Sequence, residues 1–464
     1  MKKKKPATIV SFEQDLDFYV RRGNAYAQEA DWIKALSFYH HAAQIDPFQP
    51  EIGMKMSRMY AKMERFELSN RVLLGMLWRC KDRPSELYYD LGCNFIGLYE
   101  YEWAMAFFQR YADDAGDEET AQKLKILQII GTMSENDYQE QDFGDTDDEE
   151  ELERASFLFV QQGKQWVQQG RIQQAHDFLI QIQKMMPNAL RIKEQLAWVY
   201  FRMNENEKAC DLCEEILLRD PFNIQAHCVR LAMADQEENA SEIAPILERL
   251  RNGDARDGDD AFQAGVALSR YGHYEQAKTF FAQAREEDPY WIDVLVAQAR
   301  NFACLKEEKC AMANWQVIAT LLPEDPIGRY YARLAKEGIS AEDAKKLSQR
   351  FGLPTEMEIM HLHSIQSTLN KTERIAHEHD MALFEALSWA LFYAEDAIRD
   401  AAIPMISEIF VFEAPTLFRD FLLRRDYKDE TKQKIFDELD KLGVEQPYIA
   451  LFDGGIAEIW NEKQ

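Results

Sequence analysis

"RRGNAYAQEADWIKALSFYHHAAQIDP", residues 21–47, holds no catalytic motif, yet its small residues and its proline fall at regular intervals. Gly23 stands twelve residues before Ala35, Ala42 seven after it, and Pro47 five beyond that. The same alanine-to-proline interval recurs at Ala175/Pro187, Ala209/Pro221, Ala277/Pro289 and Ala311/Pro323. These alanines step by 34 from 175 to 209, by 68 to 277 and by 34 to 311. A step of two periods predicts a degenerate repeat between Phe222 and Asp257, where "AHCVRLAMADQEENASEIAPILERL" (226–250) reads as two short helical segments.

Other positions keep the same register. Gly163 and Gly265 stand where Gly23 does, with Ala197 and Ala299 in the other two copies; Ile182, Ile216, Ala284 and Ile318 match Ala42. Two antiparallel helices on a short turn pack closely only where small side chains occur at their crossing, and Gly23 with Ala35 are read as that pair, with Tyr26 and Tyr39 filling the space around it. Proline lacks the amide proton a helix interior needs, so Asp46-Pro47, Asp220-Pro221 and Asp288-Pro289 punctuate the array. "LGCNFIGLYEYEWAMAFFQRY" (91–111) adds Gly92, Phe95, Tyr101, Ala104 and Phe108 in phase, and "MSRMYAKMERFELSNRVLLGM" (56–76) adds Ser57, Tyr60, Phe66 and Ser69.

This set of a small residue, an aromatic three on, an alanine, a further aromatic and a closing proline resembles the tetratricopeptide repeat (TPR) family. The resemblance implies an all-α fold, an α-solenoid of about eight helix-turn-helix repeats. Its expected organisation is a basic tail at 1–15, repeats one to three at 16–118, a helix and acidic disordered linker at 119–155, repeats four to eight at 156–325, and capping helices at 326–353. Residues 354–464 read as a helical C-terminal domain without the TPR spacing, for which HEAT-like pairing is one arrangement, ending in a hairpin around Asp453-Gly454.

Composition excludes several functions. With 81 acidic against 54 basic residues the formal net charge is −27, which repels nucleic acid and anionic lipid over most of the surface. "MKKKKPATIV" opens no apolar run of signal-peptide length, and no stretch reaches membrane-span length, so the expectation is a cytoplasmic chain without membrane partners. Seven cysteines in no paired framework agree with a reducing compartment.

Candidate chemistry gives way to plainer readings. His361, His363, His377 and His379 cluster near Asp380, but residues two apart on a helix point about 200° apart, so neither pair chelates from one face and no metal site is expected. Cys210 and Cys213 form C-x-x-C within a helix, where Cys213 takes a repeat-core position and reads as buried and apolar. The segment 134–153 has eleven Asp or Glu and no Lys or Arg, yet lacks the glycine of a calcium loop and reads as extended by self-repulsion. No phosphate loop, nucleophile elbow or dinucleotide fingerprint occurs, so no cofactor is expected.

The TPR resemblance implies that the first helix of each repeat lines a concave groove. By register, the partner-binding residues are Phe157, Val160, Lys164 and Val167 of the fourth repeat and Arg191, Glu194, Trp198, Phe201 and Arg202 of the fifth. The chaperone-binding clamp of that family is not met: Asn24 fits one asparagine, but Val20 stands for the first lysine and Arg58 for the second asparagine. The functional expectation is a non-enzymatic scaffold or adaptor binding a protein or peptide, with an oligomeric state the residues do not specify. The alternative is an enzyme or metal-dependent module in residues 354–464 recruited by the repeats. The segment 134–153 is also expected to compete for the groove cations Lys164, Arg191 and Arg202.

Overall fold

A computed structural model of the protein describes residues 15–80, 84–98, 100–115, 159–164, 166–167, 172–348, 381–394, 396–424, 427–452 and 455–460, with 124, 156 and 364 as single positions. Its contacts divide the chain into two compact units, residues 1–128 with 411–464 and residues 129–410.

In the first unit three helix pairs follow one another: α1 (Leu16–Gln28) with α2 (Trp32–Ile45), α3 (Pro50–Lys62) with α4 (Phe66–Arg79), and α5 (Glu86–Gly97) with α6 (Tyr101–Ala115). In the second unit helical residues 159–164 precede α7 (Ile172–Met185). Then come α8 (Leu190–Arg202) and α9 (Asn206–Arg219), α10 (Ile224–Gln236) and α11 (Ala240–Asn252), α12 (Gly258–Arg270) and α13 (Tyr274–Glu287), and α14 (Ile292–Cys304) and α15 (Glu308–Leu321). First helices begin at 190, 224, 258 and 292, a constant step of 34, and α16 (Pro326–Glu337) begins one further step on, followed by α17 (Ala341–Ser348). The degenerate repeat is α10 with α11. It keeps the period although Leu231 and Ile243 stand where other copies carry glycine or alanine, and Ala255 where they carry proline.

The glycines are explained by a ring. A methyl group added to Gly23 would lie 2.5 Å from Cε1 of Tyr39; the matching approaches are 2.7 Å for Gly92 to Phe108, 3.0 Å for Gly163 to Leu179 and 2.7 Å for Gly265 to Phe281. In each case a side chain sixteen residues on, from the second helix, fills the missing side chain's space. Tyr39 therefore lies on Gly23 itself, filling the space at the crossing, and Ala35 is fully buried.

The turns repeat as regularly. Ala30, Glu64, Asn204, Glu238, Gly272 and Lys306 all have positive φ, and the last four are spaced by 34. The amide after each reaches back five residues: Asp31 to Tyr26 at 3.0 Å, Glu205 to Tyr200 at 2.9 Å, Asn239 to Ala234 at 2.8 Å, His273 to Leu268 at 2.9 Å and Glu307 to Phe302 at 2.8 Å, the Schellman ending of a helix. At the other turn, the aspartate before proline accepts from the amide two residues on: Asp46 from Phe48 (3.1 Å), Asp220 from Phe222 (3.2 Å) and Asp288 from Tyr290 (3.0 Å). This side-chain turn starts the reversal that the proline then prevents from reverting to helix.

The remaining helices join both units. In the second, α18 (Met381–Tyr393) is buried nearly all round, and the Tyr393 hydroxyl donates to Asp325 at 2.6 Å, ahead of α16; α19 (Asp396–Ile409) packs on α18. In the first, α20 (Ala414–Leu422) sets the Arg419 guanidinium 5.1 Å over the Trp78 ring of α4. There α21 (Asp429–Lys441) packs on an antiparallel hairpin of β1 (Tyr448–Phe452) and β2 (Gly455–Ile459), with Phe436 stacked on Tyr448. The hairpin leaves residues 453–454 between its strands, as Asp453-Gly454 led one to expect. Among the described residues no helix is long and apolar enough to cross a membrane.

Both the crossing and the turn can be probed by substitution. Ala35→Phe overpacks a fully buried crossing and is expected to cost about 1–3 kcal/mol; an unchanged melting temperature would contradict the register. Lys306→Gly relieves a left-handed lysine and is expected to stabilise by about 0.5–1 kcal/mol, read as a raised melting temperature.

Candidate functional site

The first helices of the second unit share an inner face, and its centre is a polar network rather than an open surface. Glu194 on α8 is 2% exposed and Asp260 on α12 is 1% exposed. Arg256 bridges them, donating from Nη2 to Glu194 at 2.9 Å and from Nε to Asp260 at 2.7 Å. Asn223 caps α10 by accepting from the Ala226 amide and donates to Glu194 at 2.7 Å. Gln225 donates to Asp260 at 2.9 Å and accepts from Trp198 Nε1 at 3.0 Å. The buried carboxylates Glu194 and Asp260 thus each find partners from neighbouring repeats, as burial requires.

Around this centre lie two more exposed pairs. Lys164 Nζ meets Asp259 at 2.7 Å, and Arg191 Nη1 meets Asp257 at 2.5 Å. Burial alone would raise the Asp257 carboxyl, but the Asp260 amide it caps and the Arg191 guanidinium more than offset that and hold it below the usual range. Burial opposes the charge on Arg256, yet its bonds to Asp260 and Glu194 prevail and hold it further above the usual range.

Of the partner-binding residues read from the sequence, the structure brings Lys164, Arg191, Glu194 and Trp198 into this network. Phe157 lies outside the described residues, as do the segment 134–153 and His361, His363, His377 and His379. Val160 is 2% exposed in the core with Leu179 and Leu196, and Val167 packs partly buried against that core. Phe201 is half-buried, edge-on to Trp198 with ring centroids 6.1 Å apart, and Arg202 is exposed at the end of α8. Beside Trp198 a notch of about 20 Å³ is floored by Cys228, Leu231 and Ala267 and edged by Asp235 and Arg270, which pair with each other. The sequence register missed Arg256, Asn223, Gln225, Asp259 and Asp260. Their one sequence signal is the acidic run Asp257, Asp259 and Asp260 at a helix start.

The thiols offer no reactive centre here. Cys213 is fully buried in the position facing Ala197, and burial pushes its thiol up to about 12; burial also raises Cys210. Neither has the lowered pKa of a redox pair. Among the described residues no group of three or more His, Cys, Asp or Glu is placed to hold a metal ion.

Over 299 residues, 62% of this chain, the sequence is 24% identical to TPR repeat-containing protein YvcD of Bacillus subtilis (strain 168). The helix pairs are similar to tetratricopeptide repeats. The match spans 60% of that relative's length. No family model matches the chain. Among solved structures, yeast Tom70 is 15% identical over 92% of this chain and 95% of its own, with a TM-score of 0.33. The TPR2AB-domain:pHSP90 complex of yeast Sti1 is 14% identical over 58% of this chain and 98% of its own, with a TM-score of 0.24. The likeness rests on the period of 34 and on the relative's name.

Arg256→Met would leave Glu194 and Asp260 charged, buried and unpaired, and is expected to destabilise by about 3–5 kcal/mol in denaturant unfolding. His227 titrates in the opposite sense to a salt-bridged histidine. Burial, aided by Arg249 and Arg230, lowers its pKa from 6.5, against the pull of its bond to the Pro221 carbonyl and of Asp220. The fold favours the neutral ring, so its contribution is complete above pH 6.5 and is lost as pH falls below that toward the folded value. His227→Gln, whose amide can still donate to Pro221, is expected to flatten the fall in melting temperature between about pH 7.5 and about pH 5.5; an unchanged slope would contradict this.

Proposed function

We propose that this protein is a non-enzymatic, cytoplasmic interaction scaffold that holds a protein or peptide segment against the first helices of repeats four to eight. The carrying observation is Trp198, which edges the apolar notch, with Phe201 edge-on to it and the exposed Arg202 next along α8. Half-buried aromatics next to a cation and a recess for a small apolar side chain have the composition of a binding hot spot. Glu194, joined to Asp260 through Arg256, then acts as the frame that holds the patch in place. The cytoplasmic part of the reading is supported by seven cysteines whose spacing forms no paired framework.

Affinity purification with mass spectrometry tests it. Phe201→Ala combined with Arg202→Glu removes the ring edge and reverses the exposed charge while leaving the Trp198–Gln225 bond intact. The captured proteins are expected to fall away while the helical circular-dichroism signal at the assay temperature is retained; undiminished capture would contradict the reading.

A further inference from the structure

Repeats in a stacked array normally touch only their immediate neighbours. Besides the Arg256–Glu194 pair, 62 residues apart, two further ion pairs here reach beyond that. Lys164 and Asp259 are 95 residues apart, and Arg191 and Asp257 are 66 apart, so the cations of repeats four and five close on carboxylates at the start of repeat seven. Both pairs therefore cross the inner face instead of running along it.

The pairs differ in exposure from the centre beneath them. Side chains of Lys164, Asp259, Arg191 and Asp257 are 20%, 28%, 15% and 24% exposed, whereas those of Glu194 and Asp260 are 3% and 2%. Arg256 itself is 28% exposed, so what sets the triad apart is its two buried carboxylates, which dissolved salt reaches less than it reaches Asp257 and Asp259. Asp259 also accepts from Gln225 at 3.2 Å, and Asp257 caps the Asp260 amide at 2.9 Å, so both carboxylates keep a partner when the cations leave. A closed and an open arrangement thus differ mainly by two exchangeable pairs.

We propose that the inner face of this unit is latched: the Lys164–Asp259 and Arg191–Asp257 pairs hold repeats four and five against repeat seven, and their release opens the groove. The Arg256–Glu194–Asp260 triad stays joined in both arrangements and acts as the pivot. The latch limits access to the Trp198 and Phe201 patch, because a segment laid along the first helices must pass between groups that are closed on each other. This consequence rests on the inner-face binding reading; the latch itself does not.

Pulsed electron–electron resonance between nitroxides carried on unnatural amino acids at Gln174 on α7 and Ala282 on α13 measures the opening in the full chain. Both positions are exposed and belong to the two ends of the latch. Between about 0.05 M and about 1 M sodium chloride the distance is expected to lengthen by roughly 5 Å or more. Lys164→Met with Arg191→Met is expected to give the long distance already at low salt, whereas Lys184→Met with Lys309→Met, removing two exposed cations elsewhere, leaves the short one. One unchanged distance in wild type and latch variant overturns the proposal. Zero-length carbodiimide coupling in the wild-type protein reads the same latch without substitution. A Lys164–Asp259 cross-linked peptide is expected at low salt, falling about tenfold at high salt, and its absence at low salt overturns the proposal. No partner enters either measurement, so the failure of the latch and the failure of the inner-face binding reading are told apart.

Discussion

The close approach of a second-helix side chain to a glycine on the first helix is the contact on which the rest of this protein depends. With Tyr39 on Gly23, Phe108 on Gly92 and Phe281 on Gly265, two helices meet at backbone distance, and their turn must reverse within a few residues. That brevity explains the left-handed residue at Ala30, Glu64, Asn204, Glu238, Gly272 and Lys306 and the amide reaching back five positions. Because the crossing recurs in phase, first helices stack on first helices. A shared inner face follows from the stacking, and with it the place where polar groups from successive repeats meet.

What meets there is constrained by burial. Glu194 and Asp260 have almost no contact with water, so each is tolerable only with Arg256 between them and Asn223 or Gln225 alongside. The arrangement sets the orientation of repeats five to seven through directional bonds, where apolar packing alone would leave them freer to slide. It also divides the inner face into a rigid polar centre, two outer ion pairs open to solvent, and an aromatic edge at Trp198 and Phe201. Structural and binding roles are therefore carried by different side chains of the same helices.

Much of the fold was legible because its constraint is local. A glycine, an alanine twelve residues on and a proline twelve beyond that lie within one helix pair, so a single period displays them, and even α10 with α11 was found by counting across the gap at 68. The left-handed turns were hidden because Ala30, Glu64, Asn204, Glu238 and Lys306 carry side chains that do not mark the conformation; only Gly272 does. Position on the first helix picked out Lys164, Arg191, Glu194 and Trp198 but said nothing of what they meet. Asp259 lies 95 residues from Lys164, a separation that no short pattern records. The packing of α18 and α19 with the second unit and of α20 and α21 with the first was hidden for a like reason, since nothing in their apolar faces names a neighbour.

The most direct test is a double-mutant cycle of Gly265→Ala and Phe281→Leu in equilibrium unfolding. In a helix interior alanine normally stabilises by about 1 kcal/mol relative to glycine. Here the added methyl would stand 2.7 Å from the ring of a fully buried Phe281. The account predicts that Gly265→Ala destabilises in the wild-type background, that it stabilises or is neutral in the Phe281→Leu background, and that the two changes couple by about 1 kcal/mol or more. Additive effects, or stabilisation by Gly265→Ala with the ring in place, would contradict the claim that the ring-on-glycine contact sets the repeat.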